Sequence, residues 1–202
     1  FVTELGLCGL LTLLNLRGMK ESIKILLPIF LGFFISHAVL IGYGVAAKSE
    51  LIDQLMPETL RQTDELFRES GWLFTVSLFL RAYSLGGGTY TGIEAVSNNI
   101  NMLAEPRVRT GHLTMFYMAT SLAFTAGGII LLYLLWGAQP VPGQTLNAVT
   151  FGQIIDSFGL GSTQLNHGIL AVTLGLEGGL LLVAANTGFL GGPAVMANMA
   201  GD

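Results

Sequence analysis

Charge is scarce in this chain. Asp, Glu, Lys and Arg supply 11% of the 202 residues, against about 25% in an ordinary soluble domain. Cysteine is scarcer still: Cys8 stands alone, which excludes an intrachain disulfide framework and a cysteine metal site. The net charge of −4 is small and acidic, so nucleic acid is not an expected partner. No nucleophile elbow, paired-histidine metal motif or phosphate loop with its lysine can be found. Asp53, Asp64, Asp156 and Asp202 lie in polar connections or at the last position, which leaves no aspartate pair for an intramembrane protease. The chain does not read as an enzyme, and nothing in it asks for a bound cofactor.

What remains is apolar. Hydrophobic residues make up 51% of the sequence, and the few charges fall in clusters between uncharged runs of membrane-spanning length. Glycine, at 27 residues, is roughly twice its usual frequency, as expected where membrane helices pack closely or break. The expected fold class is therefore all-α integral membrane, with residues 1–202 forming part of one transmembrane domain. Five segments can be placed: 1–16, read as a truncated helix, then 22–47, 71–104, 111–136 and 166–190. A basic leader and a small-residue cleavage site are missing around residues 1–16, so the stretch does not resemble a signal peptide. We expect an internal stretch of a longer protein, whose remaining helices complete it.

Basic residues orient these segments. Arg17, Lys20 and Lys24 occupy the first connection, and Arg107 with Arg109 the third. By the positive-inside rule, loops 16–24 and 105–110 are cytoplasmic, and connections 48–70 and 137–165 lie outside the plasma (inner) membrane. Within the outer connections, residues 58–69 read as an amphipathic interfacial helix, and 145–158 as a short helix after a PVPG turn.

The third segment carries the strongest signal. A continuous helix over 71–104 would run about 50 Å, well beyond the roughly 30 Å hydrocarbon core. Near its middle stand Gly86, Gly87, Gly88, Thr89, Tyr90, Thr91 and Gly92, followed at once by Ile93 and Glu94. A contiguous glycine block is not the spaced pattern of helix packing. It reads as a break at 86–92, where bared backbone amides and carbonyls line a binding cavity. Glu94 would open the inner half-helix, and an acid at membrane depth is a candidate for substrate binding or proton coupling. Glu177, with Asn186 and Thr187 further along the last segment, could belong to an ion or proton path or to a polar contact between helices. His37, alone in the second segment, reads as a structural hydrogen-bond donor rather than a relay.

The string GGGTYTGIEAVSNN at 86–99, continued by AEPRVRTG at 104–111, resembles the amino acid–polyamine–organocation transporters. In that superfamily a small-residue break in the sixth helix is followed by Gly-hydrophobic-Glu, here Gly92, Ile93 and Glu94, and by a loop with Pro and basic residues, here Pro106, Arg107 and Arg109. NLRGMKES at 15–22 is similar to the connection between the fourth and fifth helices, and AANTGF at 184–189 to the end of the eighth. The resemblance implies part of a LeuT-like inverted-repeat fold, from the fourth to the eighth helix, with proton or sodium as the driving ion. It also implies substrate contact by Gly86 to Gly92, proton coupling through Glu94, and an ion site near Asn186 and Thr187. One departure stands out: many amino-acid exchangers carry a bulky aromatic gate near the position of Gly88. The Thr-Gly-hydrophobic-Glu-Ala pattern is instead similar to a bacterial branch that includes proton-coupled potassium importers.

The leading expectation is a secondary active transporter importing an amino acid or related organic cation by proton symport. A proton-coupled potassium importer of the same fold is the alternative, and a non-transporting membrane sensor or scaffold a third reading from another class.

Overall fold

Long apolar runs without charge satisfy their own peptide groups as helix, and that is what the computed structural model of the chain contains. It describes residues 2–16, 19–87, 96 and 103–201. Among these the elements are α1 (Val2–Leu16), α2 (Met19–Ala47), a 3₁₀ turn (Ser49–Leu51), α3 (Ile52–Ser70), α4 (Trp72–Gly86), α5 (Arg107–Leu135), α6 (Leu146–Asp156) and α7 (Thr163–Gly201). No strand occurs among the described residues. Among the described residues, three stretches are long and apolar enough to cross a membrane: Leu26–Ala47, Arg107–Leu135 and Thr163–Gly188. The protein is thus all-α, built from membrane-spanning helices.

Several boundaries differ from the sequence reading. Helix α2 begins at Met19, which puts Pro28 well inside it rather than in its first turns. Such a proline is tolerated in a membrane helix where neighbours re-satisfy the freed carbonyl. Helix α7 runs on to Gly201, past the expected end at residue 190. Its second half is rich in Ala, the best helix former, with Met196 and Met199 near the end. Helix α3 starts at Ile52, earlier than residue 58, since the whole of 52–70 repeats apolar and charged residues at helical spacing.

The core lies at one end of the bundle. Leu40 and Ile41 of α2, Leu132 of α5, and Phe151, Ile154 and Ile155 of α6 form one buried cluster. Helix α7 packs along α2 and α6, while α2 also contacts α5. Glycine makes these approaches possible at a few points. A Cβ on Gly128 would sit 2.7 Å from Ile41 Cδ1, and one on Gly44 would sit 2.5 Å from Leu132 Cδ2. The bared backbone of Gly44 also accepts a hydrogen bond from Trp136 Nε1 at 3.1 Å.

Helix α6 begins cleanly because Thr145 caps it, its side-chain oxygen accepting from the Ala148 amide at 3.1 Å. Its apolar stripe then falls at Phe151, Ile154 and Ile155, with Thr150 beside them, all fully buried. The connecting helix expected at 145–158 is therefore a plug between α2, α5 and α7. Helix α3, by contrast, is exposed on its charged face, where Arg61 bonds Glu58 and Glu65. Those bonds from Arg61, and from Gln62, hold the Glu58 carboxyl at about 2, well below its usual value.

Candidate functional site

Two regions carry the chemistry singled out above. The first is the end of α4. Regular α-helix reaches Gly86, and the Gly87 amide then bonds the Ser84 carbonyl, the tighter i to i−3 pattern common at helix ends. A Cβ placed on Gly86 or Gly87 would meet nothing within 4 Å. Close packing against the described residues therefore does not explain glycine at these two positions, in contrast to Gly44 and Gly128. Gly88, Thr89, Tyr90, Thr91, Gly92 and Glu94 lie outside the described residues.

The second region is a chain of polar side chains in the core. Glu177 of α7 receives two groups on a single oxygen: His37 Nε2 of α2 at 3.0 Å and Asn147 Nδ2 of α6 at 2.8 Å. Tyr133 of α5 donates its hydroxyl to Asn147 Oδ1. One carboxylate thus ties four helices together. The other imidazole nitrogen of His37 lies 2.9 Å from the Phe33 carbonyl, one turn earlier. The ring stacks on Phe33, with centroids 3.9 Å apart, and meets Phe151 edge-on at 5.1 Å.

His37 is completely buried, whereas the Glu177 side chain keeps 20% exposure. That exposure is onto a cavity of about 450 Å³ lined by Thr145, Asn147 and Glu177, with Phe33, Leu174 and Leu181 as apolar walls. Breaking a buried, hydrogen-bonded pair by deleting one partner costs about 3–5 kcal/mol, so the two residues depend on each other. The structure gives His37, read as a structural donor, a named partner: an acid 140 residues away.

The other two residues expected on the last segment lie elsewhere. Asn186 is buried and accepts from Asn15 Nδ2 of α1 at 2.6 Å. The Thr187 hydroxyl donates to the Ala184 carbonyl of its own helix at 2.6 Å. Both sit nine or ten positions beyond Glu177, about 13–15 Å along the helix axis. The structure therefore separates Glu177 from Asn186 and Thr187. Among the described residues, no group of three or more His, Cys, Asp or Glu side chains could hold a metal ion.

Comparison with known proteins supplies one relative. The chain is similar to a potassium transporter. Over 196 residues, 94% of this chain, it is 33% identical to the potassium transporter KimA of Bacillus subtilis (strain 168). It spans 29% of that relative's length. No family model matches the chain. No solved structure matches it significantly. With three helices able to cross a bilayer and a transporter as relative, the chain is a multi-pass protein of the plasma membrane.

Proposed function

We propose that this chain forms part of a secondary active transporter that imports potassium ions, coupled to protons. The observation that carries the reading is the 33% identity to KimA, a potassium transporter, along nearly the whole chain. The end of α4 supports it. The last carbonyls of a helix carry the negative end of its dipole, and those at Ser84 to Gly86 lead straight into the glycine run. Such a terminus favours a cation, which exchanges its water shell for backbone carbonyls and hydroxyls. In this reading Gly86, Gly87, Gly88, Thr89, Tyr90, Thr91 and Gly92 contact the ion, at a break in a segment spanning 71–104. Glu94 is the proton-coupling acid, with Glu177 in a supporting coupling role, and Asn186 and Thr187 belong to a separate site near α1. The fold is LeuT-like, with 16–24 and 105–110 cytoplasmic.

Import of an amino acid or organic cation is the second reading, and it rests on the superfamily resemblance of the glycine motif. The two part in one experiment. The protein, expressed from its whole gene and reconstituted in proteoliposomes, is given rubidium or labelled amino acids under an inward proton gradient. Rubidium accumulation that potassium competes away is the expected result. Amino-acid accumulation without rubidium uptake would overturn the potassium assignment.

A further inference from the structure

We infer that His37 and Glu177 form a proton-holding site that carries two protons between them and exchanges one through the cavity beside Glu177. Hydrogen-bond accounting leads there. The Phe33 carbonyl has no proton to give, so His37 Nδ1, at 2.9 Å from it, carries a hydrogen. Ser36 Oγ lies 3.3 Å from the same nitrogen, but its hydroxyl donates to the Phe33 carbonyl at 2.9 Å. On the other side, His37 Nε2 and Glu177 Oε1 are 3.0 Å apart, and that contact needs a second proton. Asn147 cannot replace it, since its amide donates to the oxygen from another direction at 2.8 Å. The pair is therefore imidazolium with carboxylate, or imidazole with carboxylic acid. Either way its net charge is zero.

Loss of one proton changes that. The pair becomes negative, and either Nε2 faces Oε1 or Nδ1 faces a carbonyl with lone pair against lone pair. His37 is fully buried between Phe33 and Phe151, where a net charge is poorly solvated. The surroundings offer little compensation. Among the described residues, the titratable group that α5 brings is Tyr133, which reaches the pair through Asn147. Helix α6 offers the Asn147 amide, and its Asp156 is bonded to Asn166 at 2.8 Å. Lys48, just past the end of α2, lies over Trp136. Proton release is thus tied to rearrangement of the contact that fastens α6 to α2 and α7. The proton leaves from Glu177, the partly exposed member that lines the cavity.

This extends the coupling role proposed for Glu177, and its readouts do not depend on the cargo. In the protein held in nanodiscs, ring-¹⁵N-labelled histidine reports each nitrogen, and infrared difference spectra report the carboxyl. At neutral pH we expect two protons on the pair: both ring nitrogens protonated, or one together with a protonated carboxyl. Raising the pH removes one, and Glu177→Gln abolishes that step while His37 keeps its Nδ1 proton. An ionised Glu177 beside a singly protonated His37 at neutral pH would overturn the proposal without touching the potassium assignment. So would a titration unchanged in Glu177→Gln. The exchange route is tested by Gly178→Leu, at a cavity position where an added Cβ meets nothing within 4 Å. Slower deuterium exchange at Glu177 is expected, and an unchanged rate contradicts the route.

Discussion

Glycine serves two purposes in these helices, and the distinction is physical. At Gly128 an added methyl would fall within 3.1 Å of three Ile41 atoms, and Ile41 is itself buried. At Gly87 the same methyl meets nothing within 4 Å among the described residues, and the backbone angles there (φ −58°, ψ −30°) suit any residue. Gly128→Ala should therefore overpack the α2–α5 contact, at about 1–3 kcal/mol. Gly87→Ala should leave the melting temperature unchanged while lowering rubidium uptake, if bared backbone there meets the ion. Thermal melts and uptake assays on both variants check the split; equal loss of stability would contradict it. Sequence alone set the contiguous glycines at 86–92 apart from packing glycines, but not which of the scattered ones pack closely, since that depends on which helix lies opposite. The polar network was partly legible for a similar reason. Glu177 stood out as an acid in an apolar run, whereas its partners His37 and Asn147 lie 140 and 30 residues away. Nothing local to them announces the contact.

Among the elements, α6 departs most from its sequence impression. TLNAVTFGQIIDSF looked like a connecting helix, yet Thr150, Phe151, Ile154 and Ile155 are fully buried. Their spacing is a stripe on one helical face, so the burial was readable from periodicity; the depth of insertion between α2, α5 and α7 was not. Helix α3 is the reverse case: expected from its charge pattern, and exposed as expected. Its Glu58 titrates low because Arg61 and Gln62 donate hydrogen bonds to the ionised carboxylate. A depressed carboxylate contributes stability that is complete above its ordinary value of 4.5 and is lost as pH falls through about 2. Carbonyl NMR should find the Glu58 midpoint near 2 and, in Arg61→Ala, a shift back toward 4.5. An unchanged midpoint would mean that Arg61 does not hold the carboxylate. Both side chains are exposed, so the effect on overall stability is small.

For the whole molecule, contacts between distant elements fall in separate places. Lys48 after α2, Trp136 after α5, and Tyr43 with Ser157 after α6 meet at one end. Elsewhere Asn15, near the end of α1, meets Asn186 within α7. The all-helical membrane class was legible from composition and run length, because a bilayer admits few other solutions. The cargo was not, since glycine-rich breaks suit amino acids and cations alike; the proposal of potassium rests on similarity to a potassium transporter. Coupling is the claim on which the account turns. It is tested most directly by following internal pH with an entrapped dye while the reconstituted protein takes up potassium, for the natural protein and for Glu94→Gln. The account predicts proton entry that starts with potassium addition in the natural protein and disappears in Glu94→Gln. Potassium uptake with no accompanying proton entry, or with proton entry undiminished in Glu94→Gln, would contradict it.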